Sequence, residues 1–124
     1  MILIIGGAYQ GKLSYAMEHY KPAAVFNCDG SGTEIDFSAD AINYLHKLIL
    51  VQLREGIDPM DYIKRHVAEM RTKIIICDDI SCGVVPVDAE MRTWREAVGC
   101  CLNYLSSEAD EVIRLFCGIG SRIK

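Results

Sequence analysis

The sequence has no C-x-x-C pair, no histidine at zinc-finger distance from a cysteine, no excess of basic charge and no long apolar run. Each absence excludes a class. Without paired cysteine spacings, the six cysteines (Cys28, Cys77, Cys82, Cys100, Cys101 and Cys117) read as small buried hydrophobes rather than as a zinc or disulfide framework. Lys and Arg number 13 against 17 Asp and Glu, a net charge of −4, which gives no general attraction to nucleic acid or to an anionic membrane surface. The longest charge-free windows, Met1–Gly11 and Ala97–Ser107, are well short of the roughly 20 apolar residues that a membrane span requires. Ile2–Ile5 is a four-residue apolar stretch with no basic segment before it and Gly6-Gly7 after it, unlike a secretory leader, so the expected compartment is the cytoplasm, with thiols reduced.

What the chain does have is the composition of one soluble domain. Its 124 residues, 51% hydrophobic and 24% charged, suffice for a single core over 1–124. Ile2–Ile5, Ala23–Asn27, Lys73–Cys77 and Glu111–Phe116 are short apolar runs, three of them rich in Ile or Val as strands buried on both faces should be. Helical patterns separate them. Gly11–Tyr20 must stop near Lys21-Pro22, and Ile42, Leu45, Ile49 and Leu53 repeat behind a possible Ser38 cap and end at Gly56. Asp58-Pro59 opens a helix with the stripe Met60, Ile63, Val67 and Met70, and Asp88 caps another with Met91, Trp94, Val98 and Leu105 on one side. Strands alternating with helices predict an α/β fold: a three-layer sandwich of the P-loop type, with a short, mainly parallel sheet of about four strands and helices on both faces.

The first strand runs directly into Gly6-Gly7-Ala8-Tyr9-Gln10-Gly11-Lys12-Leu13-Ser14, in which Gly6, Gly11 and Lys12 satisfy the G-x-x-x-x-G-K part of the phosphate-loop pattern. Glycines let backbone amides turn toward phosphate oxygens, the following helix presents its positive end, and the lysine reaches the terminal phosphates. Leu13 stands where a Mg²⁺-holding Ser or Thr belongs, and Ser14 follows one place late. The third strand ends in Asp78-Asp79, carboxylates on the ligand side of a parallel sheet, where either can hold Mg²⁺ or cap the next turn. Asp29, in Asp29-Gly30-Ser31, reads as turn chemistry. His46 shares a helical face with Ile42, Ile49 and Leu53, which reads as packing.

Asp79–Pro86, Arg92, Trp94-Arg95-Glu96, Gly99, Ala109–Val112 and Cys117–Lys124, together with the loop at Gly6–Lys12, resemble the bifunctional adenosylcobinamide kinase / adenosylcobinamide-phosphate guanylyltransferase family of cobalamin biosynthesis. The resemblance covers roughly the first twenty residues and Asp78 to Lys124, where it ends in a short strand and a glycine-isoleucine-lysine tail. It implies a nucleotide-binding parallel sheet, ATP or GTP with Mg²⁺, and phosphate transfer to the hydroxyl of adenosylcobinamide. GMP transfer through a guanylylated histidine then follows. By position, Gly6–Lys12 would cradle phosphates, Lys12 and Asp79 would serve the transfer, Asp79 standing at the family's glutamate and Asp78 at its asparagine. The central portion that normally carries the histidine is missing, and His46 is the one histidine near that region. The kinase half is thus the more intact. A non-catalytic paralogue serving as a binding or assembly partner is the competing expectation, favoured by Leu13 and the missing centre.

A four-strand sheet with open edges, and helices carrying Tyr44, Tyr62, Trp94 and Tyr104, predict a homo-oligomer. Light scattering at micromolar concentration is expected to give a mass above the 13.8 kDa of one chain. A monomer would count against it.

Overall fold

The structure, a computed structural model, describes residues 1–80 and 87–124. Residues 81–86, which include Cys82 and most of the Asp79–Pro86 stretch read above, lie outside the described residues. Among the described residues, six strands and four helices follow in the order β1 (Ile2–Gly6), α1 (Lys12–His19), β2 (Val25–Asn27), β3 (Ala41–Asn43), α2 (Leu45–Arg54), α3 (Pro59–Met70), β4 (Ile74–Asp78), α4 (Ala89–Glu108), β5 (Glu111–Phe116) and β6 (Ile119–Arg122). They form one sheet in the order β2-β3-β4-β1-β5-β6, parallel except for β6.

β1 is the centre of the sheet. Ile2 to Gly6 pair in register with Ile74 to Asp78 on one side and with Glu111 to Leu115 on the other. Because successive side chains point to opposite faces, the β1 residues divide between two cores. Leu3 packs with Ile42, Ile75 and Val112 beneath α2, α3 and α4. Ile4 packs with Ala41, Ile76 and Ile113 against Ala16 of α1. Each such Leu or Ile, 0% exposed in the case of Leu3 and Ile4, contributes on the order of 1.5–3 kcal/mol by leaving water. β1 and β5 come so close at their carboxyl ends that a Cβ on Gly6 would lie 2.7 Å from the Leu115 carbonyl oxygen, so the loop can begin there only with glycine.

The strand count is six rather than the four read from the sequence, and both additions have a local cause. Ala41–Asn43 is a three-residue strand, buried throughout and bonded to β2 and β4. Ile42 therefore belongs to the sheet and not to the helix, which begins at Leu45 after a left-handed Tyr44 and not behind Ser38. Ile42 lies three residues before Leu45, so the end of the strand mimicked a turn of helix. At the other end, Cys117 and Gly118 both adopt left-handed backbone (φ 52° and 78°) between the paired Phe116 and Ile119. That is the geometry of a two-residue hairpin turn whose twist suits the strands on either side.

The remaining helix boundaries follow their capping residues. The Asp58 side chain accepts from the Met60 amide ahead of Pro59, and the Asp88 side chain accepts from the amides of Glu90 and Met91. Gly56, at φ 75°, follows the end of α2. The segment between β2 and β3 is pinned from beneath by the Gln52 amide on the Thr33 carbonyl (2.9 Å) and by the Ile35 amide on the Tyr62 hydroxyl (2.9 Å).

Cys28, Cys77 and Cys101 are buried, with burial pushing the thiols of Cys28 and Cys101 up to about 12, whereas Cys100 and Cys117 are exposed. Because the thiolate is the reactive form, brief alkylation of the native protein near pH 8, read by peptide mass, is expected to label Cys100 and Cys117 and to spare Cys28, Cys77 and Cys101. Rapid labelling of Cys77 in folded protein would contradict the packing described here.

Candidate functional site

The carboxyl ends of β1, β3 and β4 converge on one cavity of about 310 Å³, with Lys12, Asp78, His46, Asn43, Tyr44 and Lys47 among its lining residues. The loop after β1 supplies one wall. Gly11 takes a left-handed conformation (φ 84°) as the cap of α1, which turns the chain sharply into the helix. Among the described residues, Ala8-Tyr9 form a turn, and the amides of Lys12, Leu13 and Ser14 at the start of α1 have no hydrogen-bond acceptor. Tyr15 is the first to close a helical bond, to the Gly11 carbonyl. These amides form a concave surface of unpaired donors at the positive end of a helix.

Lys12 is 8% exposed, and its ammonium is held within the loop. Nζ donates to the Gly7 carbonyl at 2.7 Å and lies 2.6 Å from Asp78 Oδ1. The other oxygen, Asp78 Oδ2, lies 3.4 Å from His46 Nε2. His46 Nδ1 accepts from the Asp78 backbone amide at 3.1 Å, which assigns the ring proton to Nε2. Both ring nitrogens are therefore occupied by one aspartate. Burial pushes the His46 pKa below its ordinary value; the Asp78 carboxylate opposes this shift, while Lys12 and Lys47 add to it.

Asn43 lines the far wall, braced from behind by Asn27. Asn43, 3% exposed at the end of β3, donates to Asn27 Oδ1 at 2.9 Å and accepts from the Tyr44 amide at 2.9 Å. That second bond supports the left-handed Tyr44 (φ 59°) which starts α2 and directs His46 toward Asp78. The Trp94 indole donates to the His46 carbonyl at 2.7 Å and ties α4 to the same turn. Lys47 Nζ lies 4.0 Å above the Tyr44 ring. Across the cavity, Tyr9 also holds a positive φ (61°) with its side chain fully in solvent. Two strained, exposed tyrosines at the mouth of one cavity are a feature that structural packing alone does not require.

Of the residues singled out in the sequence, Lys12, Leu13, Ser14, Asp78 and His46 meet at this cavity with the loop. Asp79 does not line it; its backbone amide donates to the Gly6 carbonyl at 2.9 Å. Asp29 makes the expected turn, accepting from the amide and hydroxyl of Ser31 at 2.9 and 2.6 Å. Asn43, Tyr44 and Lys47 were not legible beforehand, because their role depends on the short strand β3.

The donor set does not describe a resident metal site. Among the described residues, no three His, Cys, Asp or Glu side chains converge. Both oxygens of Asp78 already face Lys12 and His46, and Leu13 contributes no oxygen. No helix among the described residues is long and apolar enough to cross a membrane.

Comparison with models of known protein families and with curated proteins finds no match to this chain. The geometry of the cavity therefore carries the functional argument.

The burial of neutral His46 gives a pH dependence with a definite sign. In the unfolded chain His46 takes up a proton near pH 6.5, whereas in the folded protein it does so only at lower pH. The unfolded state thus binds more protons below about pH 6.5, and stability falls as the pH is lowered through that value. The hydrogen-bonded carboxyls of Asp29 and Asp36, held low by Ser31 and Ser38, lose their contributions only below roughly pH 4. Urea midpoints are expected to drop between about pH 7.5 and pH 5.5, with a flatter profile in His46→Gln. Equal slopes in the two proteins would show that His46 is not the group responsible.

Proposed function

We propose that the chain is a nucleotide-binding protein of the P-loop type, taking the phosphates of ATP or GTP on Gly6–Ser14 and transferring the terminal phosphate to an alcohol acceptor. The observation that carries this reading is the position of Lys12 Nζ, bonded to the Gly7 carbonyl and to Asp78 Oδ1 beneath a row of unpaired amides. A lysine confined there has no need of a surface role, and an anion on the loop would find both it and the amides already oriented. The central position of β1, flanked by β4 and β5, supports the same reading, since loops at the carboxyl ends of parallel strands collect ligands.

In this mechanism the incoming terminal phosphate takes the place of Asp78 at Lys12 Nζ. The carboxylate released from the ion pair then accepts a hydrogen bond from the acceptor hydroxyl and aligns it with the phosphate. As the acceptor oxygen bonds to the terminal phosphorus, the bridging bond to the β-phosphate breaks, the nucleoside diphosphate leaves, and the hydroxyl proton passes to Asp78 and on to water. His46, fixed by the Asp78 amide, holds the second carboxylate oxygen and so acts as a positioning residue rather than as a nucleophile. Mg²⁺ enters on the phosphates of the nucleotide and is part of the substrate. The resemblance of Gly6–Lys12 and of the carboxyl-terminal stretch to the cobinamide kinase family makes adenosylcobinamide the acceptor to test first.

A second reading rests on Leu13 and on the double engagement of Asp78. A loop without its hydroxyl, with its one cavity carboxylate held on both sides, suits a protein that binds nucleotide without turning it over and acts as an assembly partner, including toward copies of itself. Binding and turnover separate the two.

Calorimetric titration with ATP and with GTP, each with Mg²⁺, is expected to show binding at about 1 mM or tighter, or −4.1 kcal/mol, lost in Lys12→Ala with native circular dichroism. No heat from folded wild-type protein would overturn the reading. Binding with no phosphate transfer to adenosylcobinamide would favour the non-catalytic form.

A further inference from the structure

A second cavity, of about 440 Å³, opens on the other side of the loop between α1 and the β5–β6 hairpin. Ser14, Tyr15, Glu18 and His19 form its helical wall, and Gly118 and Gly120 form the wall on the hairpin. Gly11 and Ser14 line both cavities, so a ligand extended along the first turn of α1 reaches from one into the other. Lys12 and Asp78 mark the end of that path on the β4 side of β1. The hairpin marks the opposite end, on the β5 side.

The hairpin is held against the loop. Gln10 accepts from the Cys117 amide through its side chain and from the Gly118 amide through its carbonyl, the latter at 3.0 Å. On the helical wall, the Tyr15 ring lies against Gly120 so closely that a Cβ there would fall 2.4 Å from a ring carbon. The other side of the aromatic wall is the His19 ring, stacked on Tyr15 at 3.9 Å and 19° and tethered by Nδ1 to the Tyr15 carbonyl at 3.0 Å. A cavity bounded by bare glycine backbone and an aromatic stack accepts a flat heterocycle. Glu18 faces it one helical turn after Ser14, and among the described residues no hydrogen bond or ion pair engages its carboxylate.

We propose that this second cavity receives the purine base of the nucleotide and that Glu18 selects guanine over adenine. The inference rests on the phosphate-loop reading above, because the path through Ser14 requires phosphates on the loop. The chemistry is that of the two base edges. Guanine presents N1–H and its 2-amino group side by side, and a carboxylate accepts both. Adenine presents an unprotonated N1 in the same place, whose lone pair faces the carboxylate oxygen.

The test is direct binding of GTP, ATP and inorganic triphosphate to wild-type protein, and of GTP and ATP to Glu18→Gln. Glu18 is exposed, so the variant is expected to fold. Wild-type protein is expected to bind GTP about ten-fold or more tightly than ATP, the discrimination that a two-point contact with a base edge supplies. In Glu18→Gln the two affinities are expected to fall within about two-fold of each other. Triphosphate binding with no purine preference, or a preference for GTP that survives in Glu18→Gln, would overturn this inference and leave the phosphate loop standing. Failure of inorganic triphosphate and of both nucleotides to bind would overturn the loop reading and this one with it.

Discussion

The organisation of the cavity depends on one ion pair. Lys12 and Asp78, with side chains only 8% and 15% exposed, meet at 2.6 Å where β1 and β4 end together. Removing one member of such a pair leaves the other charged and poorly solvated, at a cost of about 3–5 kcal/mol. The pair also decides where the loop goes, because the same ammonium binds the Gly7 carbonyl. His46 then completes the set from a third element, using its ring to fix both the amide and the carboxylate of Asp78. Three segments distant in sequence are thus fixed relative to one another by a single carboxylate. Under the proposed function, an anion arriving on the loop would compete with that carboxylate for the lysine, and phosphate binding and the release of Asp78 would be one event.

Much of this arrangement could be read from the chain, and the parts that could not have identifiable physical reasons. The sharp turn from β1 into α1 was legible because glycine is required at both of its ends, at Gly6 by the close approach of Leu115 and at Gly11 by the left-handed cap. The caps at Asp58 and Asp88 were legible because capping is local. β3 was not, because three residues carry too little pattern and Ile42 falls at helical spacing from Leu45. The wall of the cavity formed by Asn43, Tyr44, His46 and Lys47 depends on that short strand. With Ile42 on a helix, His46 reads as a packed side chain; with Ile42 on a strand, a left-handed Tyr44 turns the chain and His46 arrives at Asp78. The burial expected for His46 holds, while its partner depends on tertiary structure. Likewise nothing local distinguishes Asp78 from Asp79. The register Gly6↔Asp78 does so, by ending the strand at the level of the loop.

The two sides of the loop differ in character. On the β4 side the wall is polar and charged, with asparagine, lysine and histidine held by side-chain hydrogen bonds. On the β5 side it is glycine backbone and stacked rings, with the Glu18 carboxylate beside them. The sheet order produces this division, because β1 lies between a strand that ends in an aspartate and a strand that turns back through Cys117-Gly118. A substitution on one side therefore need not disturb the other, although Gly11 and Ser14 belong to both.

The clasp between Gln10 and the hairpin tip has a consequence for how the protein is made. Residue 10 is synthesised well before the amides it accepts from, which belong to residues 117 and 118, and the strand that leads into its loop waits for partners at 74–78 and 111–116. At synthesis rates of roughly 5–20 residues per second, the first strand spends several seconds as an apolar segment with both edges unpaired. Contacts so far apart in sequence also slow the search once synthesis is complete. The nascent chain is consequently most exposed to misassociation through the very segment that later becomes the best protected strand, and chaperone demand should concentrate on Ile2–Ile5.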